Sequence, residues 1–391
     1  YIGRMTVNAS KFNKNYISFQ ISNSIGAKVG IAPYPFAMKT STISSYASST
    51  SPGSSLKPST ISTYTYAYNT LTGGATTGTN TPFVNFPRAY TGIVLNNLGS
   101  TSPVIIGDSV TTGNTNTFDN MDFGIRGTEV TAKVHNNYFK NITGSVNQSF
   151  NGEFYISSGP DEIGIAIAMT HTTTFLHTLT VGTHTVVPKV SNPYPKGNMF
   201  DDCNKAIKAL SCKNVYVKAN KFNPSITSTT VTPVNTYYYY KNQQAIWVSA
   251  LSDEETISYN FIQNFANGIY SSHTFSLTSP KPSIILNYIE APLSTGYCKQ
   301  AIQISQVGGA NIGTGNYSIF TNQISNVYNG IACNGVANSI NIYANSVSIE
   351  STAKTLGTTA TATRIAVALT NCAYGQVRGN TVFSNVSPVP T

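Results

Sequence analysis

Few residues in this chain have types and spacings suited to chemistry. Of 391 residues only 14 are Asp or Glu and five are His. A glycoside hydrolase needs two carboxylates, one of them held as an acid. A polysaccharide lyase needs a base, with a cation or Arg to neutralise the uronate. Asp201-Asp202, Asp161-Glu162 and the run Asp253, Glu254, Glu255 are the acidic candidates. The run reads as a solvated turn between strands, and Asp161-Glu162 as the end of an insertion. His171, His177 and His184 follow one another at spacings of 6 and 7. A metal would want such ligands on one face with a carboxylate beside them. The expected reading is a polar loop, with no metal and no cofactor. The five cysteines, Cys203, Cys212, Cys298, Cys333 and Cys372, form no CxxC. They are expected as buried free thiols, with a Cys203–Cys212 bridge left open. No phosphate loop, nucleophile elbow or Ser/His/Asp set stands out, so no catalytic residue is assigned.

Binding chemistry has two candidates. Lys205, Lys208, Lys213, Lys218 and Lys221 form a basic cluster in a chain of net charge +9. Lys205 and Lys208 are the positions expected to meet an acidic glycan. The lysines do not form the dense stripe that nucleic acid requires, so nucleic acid is not an expected partner. Tyr237, Tyr238, Tyr239 and Tyr240 are consecutive. Their flat amphipathic rings suit stacking on a sugar or contact with a protein. Asp108-Ser109-Val110 resembles the short acceptor for O-glycans in Bacteroidota, which makes Ser109 the candidate attachment site.

The elements that must position these residues declare themselves as a repeat. NTFDNMDFGI begins at Asn116, GNMFDDCNKAI at Gly197, NFIQNFANGI at Asn260 and NQISNVYNGI at Asn322. From the Asn to the small residue the step is always 8: 116 to 124, 198 to 206, 260 to 268, 322 to 330. A second set at Asn137, Asn220, Asn287 and Asn345 interleaves with longer steps of 27, 25, 14 and 19. An apolar residue stands three places before the Asn: Val134, Val217, Ile257, Ile284, Ile319, Ile342 and Val377. After the small residue the apolar period is two, which is the signature of a strand.

The pattern predicts an all-β, right-handed parallel β-helix of about ten coils, stacked about 4.8 Å apart. Ile207, Ile246, Ile269, Ile302 and Ile331 should form one column of the core. Each repeat Asn is expected in a left-handed turn, with its side chain hydrogen-bonding to neighbouring coils. By register Asp201 and Asp202 match Asp119 and Asn120, so they read as turn residues. The chain is read as a single domain, 1–391, and a piece of a longer protein. No apolar run approaches the roughly 20 residues of a membrane helix.

Extra residues of the long coils fall between the Asn turn and the next strand. Position along a coil fixes position around the axis, so these loops should form one column on alternate coils. Its members are 143–163, 223–244, 290–300 and 348–363, with 37–88 as the largest insertion or a small cap. A different loop, about 170–195, leaves from another position. Binding on a rigid scaffold usually sits in such loops.

These motifs make the chain resemble the right-handed parallel β-helix repeat proteins, the superfold also used by pectate lyases. The resemblance spans about 5–25 and 90–386. The wording of the repeat, KFNKNYISF above all, resembles large secreted or surface proteins of Bacteroidota that leave by type IX secretion. It implies an extracellular or cell-surface module: an adhesin, a stalk or a secreted cargo domain. Its partner would be a glycan, or a protein of the cell surface or secretion machinery. A polysaccharide lyase or hydrolase and a phage tail-spike share the fold and are the alternatives.

Overall fold

Runs of apolar residues at period two, broken every few residues by turns, fold as short parallel strands that hydrogen-bond from coil to coil. A computed structural model describes residues 89–107, 116–119, 121–142, 164–171, 176–182, 197–222, 243–249, 254–274, 281–291, 298–307, 317–336, 339–349 and 364–384. It also gives the strands at 5–8, 11–13, 17–22, 36–39, 42–44, 145–146, 230–234 and 237–240. The described chain is all-β. A nineteen-stranded sheet supplies two faces of a right-handed parallel β-helix, and an eleven-stranded sheet supplies the third. No helix of the described residues is long and apolar enough to cross a membrane.

Eleven strands in the third sheet mean eleven passes round the axis. Three apolar columns fill the interior. Ile125, Ile167, Ile207, Ile246, Ile269, Ile302 and Ile331 are successive register partners on the first face. Val134, Val181, Val217, Ile257, Ile284, Ile319 and Ile342 do the same on the second. On the third, Phe118, Phe139, Phe200 and Phe222 stack and are followed by Ile262, Ile289, Ile324 and Val347. The first three ring-to-ring steps measure 4.7, 5.1 and 4.7 Å. All these residues are buried, and each buried Ile, Val or Phe contributes roughly 1.5–3 kcal/mol. The eleventh coil leaves Val377 and Val382 about half exposed, at 48% and 53%.

One corner is held by an asparagine ladder. The side-chain amide of Asn116 donates to Asn137 Oδ1, Asn137 to Asn198, and so on through Asn220, Asn260, Asn287, Asn322 and Asn345 to Asn380, at 2.7–3.1 Å. From Asn198 onward each amide also donates to the carbonyl of the apolar residue at the end of the preceding coil's second strand. Asn260 donates to Val217 O at 2.9 Å and Asn287 to Ile257 O at 2.8 Å. The expected inter-coil bonds are therefore present, but the backbone assignment needs correction. The left-handed residue is the one before the ladder Asn: Asn136, Ala219, Tyr259, Leu286, Thr321 and Ala344, with φ of 50–58°. That residue turns the chain, so the Asn that follows can aim its amide into the buried corner. A second left-handed position lies four residues after the ladder Asn, at Asn141, Asp202, Asn264 and Asn326. Asp202 is thus a turn residue, as its register implies, whereas Asp201 is the last residue of the strand Met199–Asp201 and not a turn residue.

The alternation of long and short gaps falls at the expected corner, while further gaps, such as that between Val307 and Tyr317, lie at others. Between the third sheet and the next coil the gap is short after Asp119, Asp201, Gln263 and Val327. It is long after Ser44, Lys140, Phe222, Glu290 and Ile349. The largest insertion begins later than expected, because Phe36–Lys39 and Thr42–Ser44 are strands of the second coil. Nor is 170–195 a single loop. Thr178–Gly182 is a strand paired with both neighbouring coils, so two breaks at two corners flank it.

Candidate functional site

Counting along the first face locates a corner that the repeat does not explain. Four residues beyond the column positions Ile125, Ile167 and Ile207 stand Glu129, His171 and Ser211. The paired strands around them put Thr128, Thr170 and Leu210 in register, so these three follow one another along the axis. Glu129 and Ser211 both adopt left-handed φ, 50° and 56°. A glutamate here carries backbone strain that Gly or Asn would avoid. His177 approaches from the start of the next strand, Thr178–Gly182.

The carboxylate and the two imidazoles converge. His177 Nε2 lies 3.3 Å from Glu129 Oε2, and His171 Nδ1 lies 3.8 Å from the same oxygen. One ligand atom from each residue falls within a common span of 4.8 Å. The two rings stack with centroids 4.8 Å apart. His177 Nδ1 faces Thr131 Oγ1 at 3.5 Å, and that oxygen also accepts from the Thr178 N–H at 3.3 Å. His171 is 3% exposed, and neither of its ring nitrogens has a hydrogen-bond partner. Burial, reinforced by His177 and opposed by Glu129, holds its imidazole down at about 4. At neutral pH His171 is therefore uncharged, with a lone pair available. The chemistry of the set is two imidazole nitrogens and one carboxylate oxygen, a donor set for a divalent transition metal.

His171 and His177 stand at the two ends of the break between the strands Ile165–Thr170 and Thr178–Gly182 and are buried there, and His184 lies outside the described residues. Glu129 is the member that motif reading missed. Its signal was the register count from Ile125, which sets it opposite His171. Cys212, in the next coil, is buried, and burial followed by the Glu129 charge pushes its thiol up. It offers a thiol and not a thiolate.

Other candidates are placed in the scaffold. Asp201 accepts from Tyr138 OH at 2.9 Å and stands level with Lys140, which pairs with Asp119 at 3.1 Å. Burial, followed by Asp201, pushes the Tyr138 phenol above its usual range. Glu255 is no solvated turn residue: it is fully buried in the strand Glu254–Ser258 and accepts from Ser271 Oγ at 2.7 Å. Lys205 and Lys208 are buried with their ammonium groups over the Trp247 ring, 4.0 and 5.0 Å from its centre. All five cysteines are free, so Cys203 and Cys212 are not bridged. Asp161, Glu162, Asp253 and Ser109 lie outside the described residues.

Tyr237–Tyr240 forms a strand. It pairs antiparallel with Thr230–Val234 on one side and with Ser145–Val146 on the other. The loop after Lys140 and the loop after Phe222, two coils apart, therefore join in one three-stranded sheet. The chain matches no protein-family model, no curated protein and no solved structure.

Proposed function

We propose that this chain is a non-catalytic module of the cell surface or extracellular space, an adhesin, stalk or exported cargo domain. It binds a glycan or a protein of the surface or secretion machinery through its loop column. The observation that carries the reading is the three-stranded sheet at 145–146, 230–234 and 237–240. Loops of alternate coils combine there into a built surface, while the coils beneath repeat one invariant ladder. Such a division of labour suits a scaffold that varies one face. The acidic residues Asp119, Asp201 and Glu255 are engaged in scaffold contacts, which supports binding over turnover. Export by the type IX route follows from the Bacteroidota resemblance of the repeat.

The test is a binding and turnover screen on an array of acidic and neutral polysaccharides. The reading expects retention without cleavage, and loss of retention when 226–242 is replaced by a short Gly-Ser turn. Appearance of unsaturated or reducing ends overturns it in favour of a lyase or hydrolase. A stable trimer by solution mass moves it to the tail-spike class.

A further inference from the structure

We propose that Glu129, His171 and His177 form a binding site for one divalent transition-metal cation of the zinc class, bridging the fourth and fifth coils. The site does not depend on what the loop column binds. Three observations carry it.

The spacing is right for coordination. Nitrogen and oxygen ligands about 2.0–2.1 Å from a tetrahedral ion stand roughly 3.4 Å from one another. The Glu129–His177 and Glu129–His171 separations are 3.3 and 3.8 Å, and all three ligand atoms lie within 4.8 Å of one another, so the two imidazoles must draw together around the ion. Closing the second takes a few tenths of an ångström.

No hydrogen bond accounts for the buried His171 imidazole. Both ring nitrogens of the buried imidazole are unpartnered, and buried polar groups are nearly always hydrogen-bonded. The same place in the neighbouring coil holds Ser211. A solenoid that needed only a corner would use such a small residue. The unpartnered His171 Nδ1 lies 3.8 Å from Glu129 Oε2, where one cation would meet both atoms.

The supporting contacts suit a ligand. Thr131 Oγ1 lies 3.5 Å from His177 Nδ1, placed to accept from it when Nε2 holds a cation beside Glu129. With three protein ligands the fourth position stays open to water or to an exogenous donor. A cation here ties Glu129 of one coil to two residues that bracket the break at 172–176 in the next, and so fixes that corner.

The experiment uses the full chain, stripped with EDTA and titrated with ZnCl2 by calorimetry, then with CoCl2 by absorption. One equivalent should bind, with cobalt bands of a four- or five-coordinate nitrogen–oxygen site and a rise in Tm. Glu129→Gln and His171→Gln should each weaken zinc at least tenfold, while His184→Gln and His273→Gln should leave it unchanged. No binding by the parent chain overturns the proposal. So does binding that survives both Glu129→Gln and His171→Gln, or a cobalt–thiolate band, which would assign the ion to cysteine. Should those variants fail to fold, X-ray absorption of the zinc-loaded parent chain decides. Two imidazoles in the first shell support the site, and a shell without imidazole overturns it.

Discussion

Two corners of this solenoid solve the same problem in opposite ways. At the corner before the third sheet nine successive coils share one device: an Asn whose amide donates to the next from Asn116 to Asn380, in most of them preceded by a left-handed residue. At the corner between the first and second faces the residues change from coil to coil. Glu129, His171, Ser211, Gly335 and Asn371 occupy it, and most coils carry an insertion nearby. The first corner is uniform because a ladder works only if each rung both donates and accepts. A single altered rung leaves partners unmet above and below. The second corner has no such coupling, so single coils are free to carry other chemistry. Polar residues that repeat belong to the fold, and polar residues that break a repeat in a buried place are the ones to suspect of function.

The core beneath both corners sets the largest effect. Ile302 is fully buried between Ile269 and Ile331. Ile302→Asp places a charge there with no partner, which costs more than about 4 kcal/mol. Loss of cooperative unfolding by circular dichroism is expected. A variant melting at the parent temperature would show the column to be misassigned.

Next is the ladder itself. Asn260 accepts from the backbone N–H and the amide of Asn220, both at 3.1 Å, and donates to Val217 O and Asn287 Oδ1. Asn260→Leu orphans the Asn220 N–H and the Val217 carbonyl, at about 1–3 kcal/mol each. We expect a loss of roughly 3 kcal/mol in denaturant midpoint analysis. If the loss stays below about 1 kcal/mol, the two corners do not differ in coupling and the contrast between them fails.

How much of this was legible in the sequence follows the same divide. The ladder, the three columns and the alternation of long and short gaps could be read from Asn spacing alone, because each repeats. The left-handed residue could not, since Ala219, Tyr259, Leu286 and Thr321 share no side-chain chemistry and the backbone alone selects them. Glu255 was hidden by its acidic neighbours. Period two from Ile257 turns it inward, and period two from Ile269 turns Ser271 inward to meet it. Lys205 and Lys208 read as a solvated basic patch because their cover, Trp247, comes from the next coil. The Glu129 cluster joins residues 42 and 48 positions apart in sequence. Only the register count from Ile125 and Ile167 brings them together.

A smaller effect sharpens the comparison at the second corner. Without metal, His171→Phe removes two unsatisfied nitrogens and keeps the aromatic stack on His177. Its stability in EDTA should match or exceed the parent's, within about 1 kcal/mol. In zinc the order should reverse, because only the parent gains from binding. A large loss in EDTA would mean that the imidazole supports the fold as the ladder asparagines do.

The smallest effect on stability is expected at the loops. Replacing 226–242 by a short Gly-Ser turn deletes the strands Thr230–Val234 and Tyr237–Tyr240 but leaves Lys221–Phe222 and Gln244–Ser249 in place. Those two strands hydrogen-bond to the coils above and below, and their ladder partner Asn220 keeps its bonds to Asn198 and Asn260. Closing a loop depends only weakly on its length, with each doubling worth about 0.6 kcal/mol. The trimmed chain should therefore unfold within about 1 kcal/mol of the parent, while losing retention on the polysaccharide array. A drop of several kcal/mol would show that the small sheet shields the flank of the coils. It would then belong with the ladder as a structural part, and the loop column would lose its claim to be the recognition face.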